Sequence, residues 1–295
     1  MLKLFRDAFK DFLDDDCTTQ AAALAYYTIF SLPPLIVLIL LIAGAVLDPS
    51  DVRGALETQL QTLMGPAAGD QLRSLITNAQ QPGSGTVLTA ALGIGALVLG
   101  ATGCFGQLQA SLNRVWEVKP DPQQGGLRAF VTKRLFSFGM ILGISFLLLV
   151  SLALSAFLSG AGSALNSLLP EGLSQPVLQG INLVVSLGVV TLLFAAMFKI
   201  LPDARVGWKD VWVGAAVTAF LFVIGKFLIG FYLGRSNPGE AYGAAGSLAI
   251  LLTWVYYAAL ILLFGAEFTQ AWVQQKGGVI EPEPGAMRLD ESAAG

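Results

Sequence analysis

The 295-residue sequence contains no histidine. That removes the commonest metal ligand, general base and pH switch in one step. Cysteine is nearly absent as well. Cys17 and Cys104 are the only two and form no CxxC pair, so both are expected to be reduced structural thiols on the cytoplasmic side. Charge is scarce: 13% of residues are charged, against about 25% in an average soluble domain. The formal net charge is −3 and the basic residues sit scattered at the ends of apolar runs, so no dense basic patch exists to hold a phosphate backbone, and no nucleic acid is expected as a partner. The glycines Gly93, Gly95, Gly100, Gly103 and Gly106 lack the GxGxxG spacing and a surrounding βαβ pattern, which leaves helix packing as their role. No nucleophile–base pair or metal set emerges, so neither an enzyme, a metal site nor a cofactor is expected.

What the sequence has in abundance is apolar length. Hydrophobic residues make up 55% of the chain. A membrane-spanning helix needs about 20 mostly apolar residues to cross a hydrocarbon core about 30 Å thick. Six runs qualify, at 24–47, 86–106, 135–159, 177–201, 211–233 and 244–268. The expected fold is therefore all-α: a polytopic membrane bundle of six transmembrane helices over residues 1–275, with short amphipathic interfacial helices. Pro33-Pro34 in the first run predicts a kink or break. Gly139 and Gly143 make a GxxxG in the third run, and Ala215 and Ala219 line the fifth.

Lysine and arginine placement sets the orientation. With the N-terminus inside, thirteen basic residues fall in inside segments and only Arg53, Arg73 and Arg235 outside, which predicts both termini in the cytoplasm. The opening MLKLFRDAFKDFLDDD carries Leu4, Phe5, Phe9, Phe12 and Leu13 on one helical face. It reads as an interfacial helix on the inner leaflet rather than a cleaved leader. The outside loop 48–85 has room for two short amphipathic helices, one with Val52, Leu56, Leu60 and Leu63, the other with Leu72, Leu75, Ile76 and Ala79. The tail 276–295 is rich in Gly, Pro, Ala and acid, and disorder is expected there.

An ionisable group in the apolar layer is costly and wants a reason. Lys226 lies within the fifth run; it either serves a buried role or snorkels to the outer headgroups. Glu267 lies near the inner end of the sixth run, on one helical stripe with Thr253, Tyr256, Gln270 and Gln274. It is either functional or an interfacial carboxylate paired with Lys199 or Arg205. Gln20, Tyr26, Tyr27, Thr28 and Ser31 are either a belt at the interface or the wall of a polar cavity between the first, fifth and sixth spans. In the inside loop, Arg114 and Lys119 beside Trp116 suit either an inner-leaflet headgroup contact or a helix end anchored by tryptophan.

Several segments resemble the YihY/BrkB family of bacterial inner-membrane proteins. They are AAALAYYTIFSLPPL (21–35), LNRVWEVKP (112–120), LPDARVGWKDVWVGAAVTAFLF (201–222), GKFLIGFYL (225–233) and YGAAGSLAILLTWVYYAALILLFGAEFTQ (242–270). The resemblance covers most of residues 10–273. It implies six transmembrane helices in a bacterial inner membrane. It makes Lys226, Tyr232, Tyr242, Gly243, Trp254, Tyr256, Gly265 and Glu267 the matched motif positions. Members have carried a ribonuclease BN label thought to be mistaken, which agrees with the missing histidine. Others are linked to serum resistance, lipopolysaccharide precursor export and envelope lipid traffic.

The combined reading favours a non-enzymatic envelope protein that binds or translocates a lipid or lipid-linked precursor, with membrane lipids as partners. Candidate substrate-binding residues are Lys226, Tyr232, Tyr242, Tyr256, Glu267, Tyr27, Arg114 and Arg134. Lys226 would meet an anionic headgroup near the outer leaflet, and Arg114 and Arg134 near the inner. The alternatives are an ion-coupled secondary transporter using Glu267 and a scaffold for envelope protein partners.

Overall fold

The computed structural model describes residues 2–44, 48, 50, 54, 57, 103–121, 174–236 and 246–289. The third expected span, nearly all of the second and both outside amphipathic helices lie outside the described residues, as do Arg134 and Tyr242. Six helices are described: α1 (Leu2–Asp14), α2 (Cys17–Gly44), α3 (103–115), α4 (Ser174–Ile200), α5 (Trp208–Ser236) and α6 (Gly246–Gln275). Three of them, over Leu183–Ile200, Trp208–Tyr232 and Leu248–Gln275, are long and apolar enough to cross a membrane. In hydrocarbon only a helix satisfies its own backbone polar groups, which is why such runs fold this way. α2 passes through Pro33 and Pro34 as one unbroken helix.

α6 is the element on which α1, α2 and α5 all pack, and α4 packs on α5. The α5–α6 contact is built from a reciprocal pair of glycines and threonines. Thr218 of α5 presses on Gly265 of α6, and Thr269 of α6 presses on Gly214 of α5, so closely that a Cβ at either glycine would overlap the threonine hydroxyl. Each threonine hydroxyl is satisfied within its own helix. Thr218 donates to the Gly214 carbonyl and Thr269 to the Gly265 carbonyl, both at 2.7 Å. Without a hydrophobic force to join helices in lipid, such close backbone approach supplies the attraction.

α1 is amphipathic and leans on α6. Leu4, Ala8 and Phe12 are buried. Phe5 sits 5.0 Å from Phe268 and 6.3 Å from Phe264, measured between ring centroids. Leu2, Phe9 and Leu13 stay exposed. The apolar set expected on one face is thus shared between a packed face and an open one. Along α5, Phe220, Ile224, Phe227, Leu228 and Phe231 form an exposed apolar stripe at helical spacing, as a lipid-facing surface requires.

The tail departs from the expected disorder. Residues 276–289 are ordered and carry two strands. β3 (Glu281–Pro282) pairs antiparallel with β2 (Ala204–Arg205), and β4 (Ala286–Arg288) pairs antiparallel with β1 (Val118–Pro120). Two turns make this possible. Gly277 takes the left-handed conformation (φ 73°) just after α6, with the Gly278 N–H bonded to the Val273 carbonyl at 3.0 Å, a common helix stop. Glu283-Pro284-Gly285-Ala286 then forms a β-turn, Gly285 at φ 92° and the Ala286 N–H bonded to the Glu283 carbonyl. Glycine and proline, counted as signs of disorder, are here the residues that these turns demand.

Ile280, 7% exposed, pins the tail into the main core. Ile280→Ala is expected to cost about 2–5 kcal/mol locally and so to open the tail at least ~10-fold more often. Trypsin cleavage after Arg288 and Lys276 in the detergent-solubilised protein would report this, and an unchanged rate would show that the tail is held otherwise.

Candidate functional site

Most of the side-chain hydrogen bonds between elements among the described residues gather at one end of the bundle. The start of α2, the end of α3, the α4–α5 connection and the tail all meet there. Gln107 of α3 donates from Nε2 to Gln20 Oε1 of α2 at 2.9 Å, and Ser111 Oγ donates to the same oxygen at 3.1 Å. Gln109 Nε2 and Asn113 Nδ2, four residues and so about one turn apart on α3, donate to the two oxygens of Asp203 at 3.1 and 2.9 Å. The Asp203 backbone N–H donates back to Asn113 Oδ1 at 2.7 Å. Arg114 Nε donates to the Asp15 carbonyl at 2.8 Å, with the Asp15 carboxylate 3.9 Å away.

α3 ends at Trp116 and Glu117, and Glu117 adopts a left-handed conformation (φ 54°) that turns the chain into β1. Glycine is the residue at ease there. Trp116 is 2% exposed, within the main core. It packs inward and leaves the surface of this helix end to Arg114 and Lys119.

These elements surround an open cleft of about 510 Å³, within the size range of ligand sites. Its polar wall is Gln20, Gln107, Gln109, Asn113, Arg114 and Lys119; its apolar wall includes Val118, Pro120 and Leu289. None of the described lining residues is a carboxylate. Asp203 and Asp15 adjoin the cleft through the lining residues that engage them: Gln109 and Asn113 for Asp203, Arg114 for Asp15. Burial holds the Asp15 carboxyl above its usual range despite Arg114.

Beside the cleft a second polar group is sealed in. Glu267 is fully buried in α6, and Cys17 Sγ donates to its Oε1 at 3.4 Å. Its Oε2 has no hydrogen-bond partner among the described residues. The alternative pairing with Lys199 or Arg205 is not the one formed: Lys199 Nζ donates to the Val206 carbonyl at 2.7 Å, and Arg205 is exposed in β2. Burial first, then the Glu267 carboxylate, push the Cys17 thiol far above its usual range. The thiolate is the reactive form. Iodoacetamide at pH 8 should therefore leave Cys17 unmodified in the folded protein and label it after denaturation, as read by peptide mass spectrometry; labelling without denaturant would contradict this burial.

The other sequence-predicted residues spread out. Tyr27 lies against Gly103 at the start of α3, with its ring 3.0 Å from where a Cβ would stand. Thr28 Oγ1 and Cys104 Sγ meet at 3.3 Å one position further along both helices. Tyr256 packs half-buried against the core, and Thr253 is exposed, its hydroxyl returned to the Ala249 carbonyl. Along the stripe Thr253 and Gln274 are exposed while Gln270 is buried, and the described polar cleft lies against α3. Tyr232 is 60% exposed on the apolar stripe of α5. Lys226 is half-buried, its Nζ 5.6 Å from the Phe227 ring centroid. It lies eighteen residues along α5 from Trp208, or about 27 Å at 1.5 Å per residue. Lys226 thus stands well along α5 from the end where the cleft lies, ten residues short of the last residue, Ser236. The cleft's amides Gln20, Gln107 and Gln109 and the carboxylate of Asp203 were missing from the candidate substrate-binding set. The signal for Gln107 and Gln109 was the spacing of polar residues along α3 (Gln107, Ser111, Arg114; Gln109, Asn113); Gln20 and Asp203 lie on other elements.

Long apolar helices, an exposed apolar stripe and one polar end together define a helical integral membrane protein. The family described as Virulence factor BrkB matches residues 8–290, and the chain belongs to that family. It is 30% identical over 274 residues to a UPF0761 membrane protein of Alteromonas mediterranea, covering 90% of this chain and 87% of that one. It is 28% identical over 259 residues to a UPF0761 membrane protein of Psychromonas ingrahamii, covering 86% and 82%. No solved structure matches the chain.

Proposed function

We propose that this protein is a non-enzymatic component of the bacterial inner membrane, with six transmembrane helices and both termini inside, that binds or translocates a lipid or lipid-linked precursor. The cleft carries this reading. It presents Arg114 and Lys119, with no carboxylate among its described lining residues, at the end where β3 and β4 pair with β2 and β1. A phosphate headgroup of the inner leaflet is the anion within reach of such a site. Lys226, about two-thirds of the way along α5, would serve as the cation for the outer leaflet, and the exposed stripe of α5 offers acyl chains a surface between the two. Reconstituted into liposomes, the protein is expected to speed redistribution of a labelled phospholipid between leaflets, with the rate reduced in Lys226→Ala. Labelled lipids of every class tried moving no faster than in protein-free vesicles would overturn the proposal.

Glu267 supports a second reading, ion-coupled transport, because it is a fully buried carboxyl with one oxygen unpartnered among the described residues. A proton flux that is unchanged in Glu267→Gln would remove it.

A further inference from the structure

We propose that the cleft between α2, α3 and β1 is a binding site for a hydroxylated phosphate ester, with phosphoglycerol as the headgroup chemistry. The inference rests on the lipid reading above for the source of its ligand, and adds what the site selects. The cations come first. Arg114 commits only Nε to Asp15, and its two terminal nitrogens make no described hydrogen bond. Lys119 forms no ion pair among the described residues and sits in β1 at the cleft wall. Planar guanidinium nitrogens and an ammonium are the donors that hold phosphate oxygens.

The amides come next. Gln20 uses its carbonyl, and Gln107 its NH2, in the bond that joins them. The NH2 of Gln20 and the carbonyl of Gln107 are left for a ligand, one donor and one acceptor. Gln109 likewise spends its NH2 on Asp203 and keeps its carbonyl. A donor beside acceptors suits hydroxyl groups, which both give and accept. Asn113 is different: both ends of its amide are used by Asp203, so it shapes the wall and does not bind.

The missing carboxylates decide the selectivity. A choline or ethanolamine headgroup brings a cation that would sit against Arg114 and Lys119, where no described lining residue is a carboxylate and Asp15 is already turned to Arg114. A glycerol headgroup brings hydroxyls in its place. Specificity therefore arises from repulsion of the zwitterion as well as attraction of the anion.

The full-length protein in detergent, titrated with dioctanoyl-phosphatidylglycerol and dioctanoyl-phosphatidylcholine by calorimetry, tests this. Phosphatidylglycerol is expected to bind at least ~10-fold more tightly. Lys119→Gln should weaken it several-fold with no change in melting temperature, and Lys119→Arg should restore it. Gln107→Leu should weaken phosphatidylglycerol more than phosphatidic acid, which lacks the glycerol hydroxyls. Equal affinity for the two headgroups, or full affinity in Lys119→Gln, would overturn the site. Sn-glycerol 3-phosphate binding as tightly as the lipid, again lost in Lys119→Gln, would keep the site and its chemistry but reassign the ligand to a soluble phosphate ester. Selective binding without lipid movement in vesicles would keep the site and reject translocation; lipid movement without headgroup selectivity would do the reverse.

Discussion

Gly265→Ala is expected to lower the melting temperature of the detergent-solubilised protein more than any other single methyl addition along α6. Two effects compete. Alanine is the better helix former by about 1 kcal/mol. Against that, the new Cβ would overlap the Thr218 hydroxyl and lie 2.8 Å from Thr218 Cβ. A Cβ is fixed to its backbone and cannot swing aside, so α5 and α6 must separate. Overpacking of this kind typically costs 1–3 kcal/mol, and sometimes more, so the clash wins. Gly214→Ala meets Thr269 in the same way, with Thr269 Cβ again at 2.8 Å. Thr218→Gly in the Gly265→Ala background removes the obstructing atoms and should recover a large part of the loss, whereas Thr269→Gly in that background should not. A double-mutant cycle on thermal unfolding separates the two outcomes. Equal melting temperatures for the wild type and Gly265→Ala would mean that the helices do not approach this closely.

Asn113→Ala should be comparably damaging for a different reason. Asn113 is 4% exposed and exchanges two hydrogen bonds with Asp203, ninety residues away. Alanine fills less space and satisfies neither partner. Asp203 loses one donor to its carboxylate and the acceptor of its own N–H. A hydrogen bond to a charged group is worth about 1.5–3 kcal/mol, and a buried group left unpaired costs about 1–3 kcal/mol more. The sum is about 3 kcal/mol or above. The damage should spread to β2, since Asp203 precedes Ala204, and from there to the tail, because the Glu283 N–H bonds to the Asp203 carbonyl at 2.9 Å. Hydrogen exchange should therefore rise at 204–205 and 281–283 along with the fall in melting temperature. Asn113→Asp should be worse than alanine, because it places a second carboxylate against the first. Wild-type exchange at the tail in Asn113→Ala would separate the two segments and refute the linkage.

The sequence showed much of the fold but little of the site. α4, α5 and α6 follow the expected runs to within a few residues at most ends, and α6 extends further at its C-terminus. The tail misled for a specific reason. Its Gly277, Pro284 and Gly285 are turn residues when strands lie within reach and mere punctuation when they do not, and composition cannot tell which. Glu267 misled similarly. Helical spacing put it on one stripe with Thr253 and Gln274, yet the partner that reaches it is Cys17, 250 positions earlier.

By itself the sequence determined that this chain is helical, apolar and membrane-embedded. Each of those properties is summed over a local window, through hydrocarbon solvation of side chains and hydrogen bonds closed four residues apart. Only the tertiary structure decided that Glu267 meets Cys17, that Trp116 turns inward, that two glycines face two threonines and that the tail closes over β1 and β2. Those are facts about which faces meet, and a face acquires its neighbour only when distant segments pack.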